Sequence, residues 1–500
     1  MGILSELEPK AVFQYFEEIC SIPHGSSDTK RISDYCVNFA KDHGLKYIQD
    51  ASNNVMIFKN GSAGYEESKP VILQGHLDMV CEKENSCEID FSNEGLRLGI
   101  KDGYIYAKGT TLGGDDGIAI AYALAVLASD DIPHPPIEAV FTVDEEIGML
   151  GAAVIDCSNL KADTMLNIDS EEEGYLLVSC AGGVTATCHL PVTYEMENCN
   201  DKREGALSAA QCAVKITVGG LEGGHSGTEI DKGRANANQV LGRILYGLKK
   251  EIHFHLINVN GGLKDNAIPR EAGAELLFYA DQEKTVEQII IELGKIIDEY
   301  NTILKNEYRI TDAGINITVQ EVENKGKSFD QKSTDHVIAA LVNLPCGINK
   351  MNSDIQGLVQ TSLNLGILKV VDDEVTFSFS VRSSVKSEKD ELVSRLECLM
   401  EVLSGYVTTT GEYPAWEYKA DSRLREIMID VYEKQYKQKP VIQAIHAGVE
   451  CGLFAGKIEG LDCVSFGPDI LDIHTPKERL SIESVERVWK YLIEVLRQLK

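Results

Sequence analysis

The stretch Lys69-Pro-Val-Ile-Leu-Gln-Gly-His76-Leu-Asp78-Met-Val80 decides how this chain is read. Residues 70–74 are a short apolar run of the kind that forms a strand buried on both faces, and it ends on a histidine and an aspartate two positions apart. An open α/β sheet gathers its ligands at the carboxyl ends of such strands. Four further metal-competent side chains stand at similar places: Asp115 in Gly-Gly-Asp115-Asp116-Gly, Glu146 in Val-Asp-Glu145-Glu146-Ile-Gly, Asp169 in Leu-Asn-Ile-Asp169-Ser and His474 in Asp-Ile-His474-Thr-Pro. Each alone has a plain structural explanation, since histidines pack against aspartates and paired aspartates cap helices. Five together, nearly all after strand-like runs or at a helix start, point to one site.

Working outward, residues 9–19 and 29–42 carry helical spacing, residues 54–59 read as a strand, and residues 116–128 form a strongly apolar helix. Residues 137–143 and 165–168 are further short strands, a buried strand is expected at 462–467, and an amphipathic terminal helix at 482–499. Strands alternating with helices predict an α/β layered domain with a mixed central sheet flanked by helices. The middle of the chain breaks this style. Residues 185–395 read as an inserted α+β lid with an internal duplication, each unit running strand, helix, two strands, helix. The first copy begins at Ala213 and the second at Ile315. The expected division is therefore a catalytic domain from 1–184 and 396–500, interrupted by a lid at 185–395.

A length of 500 residues favours more than one core, and a net charge of −30 repels nucleic-acid phosphates and anionic membranes. Neither is an expected partner. No apolar run reaches the roughly 18 residues of a membrane span, and the first residues lack a secretory signal. Thirteen cysteines without a CxxC pair read as reduced thiols of a cytoplasmic protein, with Cys157, Cys180 and Cys463 expected to be buried.

Imidazoles and carboxylates suit zinc, with manganese and cobalt as alternatives. Asp115 is the natural bridge between two ions, with His76 and Asp169 on one, and Glu146 and His474 on the other. Two ions roughly 3.5–4 Å apart activate a water and polarise a carbonyl, which points to amide hydrolysis. Glu145, beside a ligand but not needed as one, is the expected general base. Asp78 is expected to orient the His76 imidazole.

These motifs resemble the co-catalytic zinc exopeptidases, the family of carboxypeptidases, aminoacylases, tripeptidases and dipeptidases. The resemblance spans essentially the whole chain. Its segments include Ser21-Ile-Pro-His-Gly-Ser, Gln74-Gly-His76-Leu-Asp78, Gly109-Thr-Thr-Leu-Gly-Gly-Asp115-Asp116-Gly, Thr142-Val-Asp-Glu145-Glu146-Ile-Gly, Asn167-Ile-Asp169-Ser and His446-Ala-Gly-Val-Glu450-Cys-Gly. It implies the same five metal ligands and the same base, with two divalent ions per chain. It also implies a cis peptide between Asp115 and Asp116, and hydrolysis of small unblocked dipeptides, those ending in histidine among them, by a monomer or homodimer. His225 in Gly223-Gly-His225-Ser-Gly matches the lid histidine that stabilises the oxyanion. Asn260 and Arg382 look like lid groups that hold substrate, Arg382 through its carboxylate, and Glu450 like a residue lining the substrate pocket. An amino-acid N-deacylase on the same scaffold is the main alternative, and a non-catalytic metal-binding relative the weaker one.

Overall fold

The computed structural model describes residues 2–195, 211–280, 284–323 and 327–500. These divide into two compact units, residues 1–180, 414–445 and 449–500 in the first, and 181–413 with 446–448 in the second.

The first unit is built on an eight-stranded sheet in the order Lys46–Gln49, Val55–Lys59, Ile137–Thr142, Val71–His76, Thr164–Asn167, Asp462–Ser465, Tyr175–Cys180, Val441–Ile445. The four strands from Ile137–Thr142 to Asp462–Ser465 are mutually parallel, and antiparallel pairs flank them. Val71–His76 and Ile137–Thr142 are buried along their whole length, which is why they read as mostly apolar runs rather than alternations. The helix Gly114–Ala128 packs on Val71–His76 and is buried on almost every face. Gly75 permits that approach, since a Cβ there would lie 2.5 Å from Asp116 Oδ2 and 2.7 Å from the Ala119 methyl. The parallel strands therefore end together, with His76, Thr142 and Asn167 as their last residues.

The second unit holds a nine-stranded antiparallel sheet. Its main path runs Asn316–Val322, Gln211–Gly219, Ala272–Tyr279, His255–Gly261, Val359–Val371, Glu374–Ser383, Gly182–Pro191, Tyr406–Tyr413, and Gly347–Met351 adds to Val359–Val371. The first four strands, with helices Ala237–Lys249 and Val286–Glu307, make a β-α-β-β-α-β half in spatial order 4-1-3-2. The last four, with helices Gln331–Asn343 and Lys386–Val402, make the same half in mirrored order. They join at the rung Gly261 to Leu368.

This corrects the expected duplication in one respect. The strand at Ile315 does not open the second copy. Asn316–Val322 closes the first, pairing with Gln211–Gly219 through Ile317 opposite Val218 and Val319 opposite Ile216. It is an edge strand with Ile317 as its one buried residue. The second copy opens instead at Gly182–Pro191, whose Val184, Ala186, Cys188 and Leu190 point into the core. One half is thus nested inside the other. The boundary expected near residue 395 also falls inside the helix Lys386–Val402, whose Leu392, Leu396 and Met400 are buried, so this unit runs on to Tyr413. Cys180 and Cys463 are buried as expected, whereas Cys157 is only half-buried in a one-turn helix.

Candidate metal centre and substrate-binding residues

The parallel strand ends of the first unit carry a dense group of carboxylates and imidazoles. His76 is the last residue of its strand, Asp169 follows Thr164–Asn167 by two, and Glu145 and Glu146 follow Ile137–Thr142 on a turn where Asp144 has φ 56°. Asp115 stands at the start of the helix Gly114–Ala128, reached through Gly113 at φ 66°, and its peptide bond to Asp116 is cis. His474 lies in the loop between Ile470–Leu471 and Arg479–Ser481 with φ 59°. Non-glycine residues held at positive φ are uncommon and gather at functional sites.

Asp115 organises the group. Its Oδ1 lies 3.0 Å from His76 Nε2 and its Oδ2 lies 3.1 Å from His474 Nε2, so one carboxylate faces two imidazoles from its two oxygens. His474 Nε2 is also 3.1 Å from Glu146 Oε1, and His76 Nε2 is 3.7 Å from Asp169 Oδ1. Two overlapping donor sets result, His76 with Asp115 and Glu146, and His76 with Asp116 and Asp169. Asp116 has a structural task as well, accepting the His76 backbone N–H at 3.1 Å.

The charges explain what such a group needs. Burial opposes ionisation of Asp115, yet its bonds to His474 and His76 hold it below the usual carboxylate range. Burial and the neighbouring Asp116 push Asp169 well up, and burial with Glu450, Asp115 and Glu146 pushes Glu145 up to about 8. His474 rises to about 10 through Asp115 and Glu146. Burial works against a charged His76, but Asp115 and Asp78 outweigh it and raise it well above the ordinary value. Buried carboxylates at this density require positive charge between them. Divalent cations held by neutral imidazoles and carboxylates meet that demand, and the donor types fit zinc-like ions.

Asp78 meets the His76 ring through its backbone as well as its carboxylate. His76 Nδ1 donates to the Asp78 backbone carbonyl at 3.0 Å, while the Asp78 carboxylate is 3.5 Å away. The carbonyl fixes the tautomer. The carboxylate accepts the backbone N–H of Glu145 at 3.0 Å, that of Glu146 at 3.3 Å and the Ser26 hydroxyl at 2.8 Å. Glu450 is a correction. It opens the helix Glu450–Lys457 with 0% exposure, accepting bonds from Gln74 Nε2 at 2.5 Å and Thr142 Oγ1 at 2.6 Å. A side chain enclosed beneath the strand ends lines no pocket.

Sequence reasoning also passed over Glu478 and Glu171. Glu478 is buried and accepts backbone N–H groups from residues 112–115. Burial and Asp115 push Glu171 up to about 7. The one available signal was an acidic residue four positions after His474, and another two after Asp169.

His225, Asn260 and Arg382 belong to the second unit. His225 Nδ1 accepts the backbone N–H groups of Gly227 at 3.2 Å and Thr228 at 3.1 Å, which leaves the ring proton on Nε2. Burial and Arg382 keep this imidazole below its ordinary value, hence neutral. His225 and Asn260 line a cavity of about 960 Å³. Arg382 is 7% exposed, donates from Nη1 to Tyr413 Oη at 2.9 Å, and its Nε has no hydrogen-bond partner among the described residues. His446, also buried, shares a 2.7 Å hydrogen bond with Ser362 Oγ and is lowered to about 3 by burial, Arg382 and His225.

An α/β domain interrupted by an α+β insertion, with paired donor sets at its parallel strand ends, has the architecture of a metallopeptidase. The model of Peptidase family M20/M25/M40 matches residues 72–498, and the chain belongs to this family. It is 39% identical over 500 residues to the cytosol non-specific dipeptidase of Escherichia coli strain K12, covering 100% of this chain and 99% of that one. The crystal structure of the aminoacylhistidine dipeptidase from Vibrio alginolyticus superposes with a TM-score of 0.90 at 36% identity, covering 99% and 98% of the two chains. The aminopeptidase PepT from Bacillus cereus shares the fold at a TM-score of 0.54 and 14% identity, over 99% of each chain.

Proposed function

We propose that this protein is a metal-dependent dipeptidase that hydrolyses the peptide bond of unblocked dipeptides, histidine-terminated ones included, in the cytoplasm. His76, Asp115, Glu146, Asp169 and His474 hold two divalent ions, zinc before manganese or cobalt. The observation that carries this reading is Asp115, whose two oxygens face two different imidazoles at 3.0 and 3.1 Å. The names of the Escherichia coli and Vibrio relatives support the substrate class.

When bound, the ions polarise the scissile carbonyl and acidify water. Glu145 takes the proton of the attacking water and returns it to the leaving amine. A carboxyl pushed up to about 8 suits a group that must accept and release a proton near neutrality. The Asp78 carboxylate orients the Glu145 and Glu146 turn through their amides. His225, neutral with its proton on Nε2, donates to the developing oxyanion. Arg382 and Asn260 hold the substrate, Arg382 by the terminal carboxylate.

The test is a hydrolysis screen of free and N-acylated dipeptides with zinc, manganese and cobalt, alongside metal analysis. Cleavage of free dipeptides by a chain carrying two ions is the expected result. Preference for the acylated series would make the protein an amino-acid N-deacylase instead.

A further inference from the structure

We infer that Glu478 is a positioning residue that holds the Asp115 turn in its ion-bridging conformation and ties it to the loop bearing His474. This rests on the two-metal reading above. Glu478 follows His474 by four residues and is 2% exposed. Its Oε2 accepts the backbone N–H of Leu112 at 2.7 Å and of Gly113 at 3.2 Å, and its Oε1 accepts those of Gly114 at 2.8 Å and Asp115 at 3.4 Å. Four consecutive amides thus converge on one carboxylate.

The amides at a helix start have no acceptor within the helix, and buried ones must find one elsewhere. Here the acceptor comes from a segment more than 360 residues away in sequence. The turn is shaped for it. Gly113 takes a left-handed φ of 66°, and a Cβ on Gly114 would lie 3.2 Å from Glu478 Oε1. On the other side, the Glu478 backbone N–H donates to the Thr475 carbonyl at 3.0 Å, Thr475 Oγ1 donates to the Asp472 carbonyl at 2.7 Å, and Arg479 pairs with Asp472. The His474 loop is therefore a compact turn with Glu478 as its attachment to the Asp115 turn. One carboxylate sets the relative placement of two ligands that contact each other at 3.1 Å.

Glu478→Gln replaces one acceptor oxygen with a donor NH2 that faces two of the four amides. Glu478→Asp keeps the charge but withdraws it by one methylene. Metal affinity is measured by competition with a chromogenic chelator, and ligand geometry by the visible spectrum of the cobalt-loaded protein. Glu478→Gln is expected to bind at least one ion about 10–100-fold more weakly, with an altered cobalt spectrum and Glu478→Asp intermediate. A residue that only stabilised the fold would leave the affinity and the spectrum unchanged.

For the case in which the variants do not fold, hydrogen exchange of the wild-type chain provides the second measurement. Amides 112–115 are expected to be protected in the metal-free protein, because Glu478 and not the ions satisfies them. Unprotected exchange there overturns the inference. So does a wild-type chain with two ions and an indistinguishable Glu478→Gln variant. A wild-type chain that binds fewer than two ions overturns the two-metal reading itself, and this inference with it.

Discussion

The Asp78 carboxylate accepts the backbone N–H of Glu145 at 3.0 Å, so the side chain that stands beside His76, a proposed ligand, anchors the turn that carries the proposed base. Its second oxygen holds the Glu146 amide and the Ser26 hydroxyl. Asp78→Asn puts a donor against a donor at this turn. Turnover is expected to fall about 10–100-fold, as for other residues that orient ligands, with most of the metal retained. Steady-state kinetics with elemental analysis of the same sample checks this, and an unchanged kcat would remove Asp78 from the machinery.

Glu145→Gln keeps the shape of the side chain and removes its proton-accepting oxygen. Metal content should persist while kcat falls by at least about 100-fold. Glu146→Gln should lose metal, because Glu146 faces His474 at 3.1 Å. Near-normal kcat in Glu145→Gln would withdraw the proton-shuttle role.

Asp115→Ala should impair both ions, since each carboxylate oxygen meets a different imidazole. His474→Ala should weaken mainly one. Titration with zinc monitored by calorimetry separates the two patterns, and two undisturbed sites in Asp115→Ala would contradict the bridge. Rigorous chelation of the wild type should abolish hydrolysis, and re-addition of metal should restore it.

The His225 tautomer leads to a kinetic expectation. With Nδ1 accepting two backbone amides, the Nε2 proton is available in the transition state, so His225→Ala should depress kcat by about 100-fold with little change in KM. Metal content should stay normal. A rise in KM alone would assign His225 to ground-state binding.

His446 predicts a pH dependence of stability. Its folded-state value lies at about 3, below the ordinary 6.5, because burial and Arg382 oppose a charge there. The unfolded chain therefore binds the extra proton first, and stability present above pH 6.5 is lost as the pH falls towards 3. His446→Gln should flatten that acid limb in thermal unfolding scans across this window. An identical slope in variant and wild type would show that another group governs it.

What was legible in the sequence was chemistry carried by side-chain type beside a strong local pattern. His76 ends a fully buried strand, Glu146 follows another and Asp169 follows a largely buried one, and their placement at adjoining strand ends came from the parallel sheet itself. Glu478 was opaque because its partners are backbone amides, which no residue letter reveals. Glu450 misled because a glutamate flanked by glycines reads as a loop, whereas Gln74 and Thr142 draw it beneath the sheet. The nested lid escaped because a linear scan joins neighbours: Asn316–Val322 comes just before the second pair of helices and was given to them, although its backbone bonds lie with Gln211–Gly219.

That nesting has a consequence for how the chain assembles. Gly182–Pro191 leaves the ribosome early, but its partner Glu374–Ser383, where Thr185 faces Ser380, follows almost two hundred residues later. In between, the inner half contains all four of its strands and both its helices within 211–322. It can complete its own sheet first, and the waiting strand, apolar on one face, then closes the outer half around a finished neighbour. Contacts of such long separation are slow to form. Vectorial synthesis thus gives the lid an order of construction, with the inner half serving as the template edge on which the outer half is laid down.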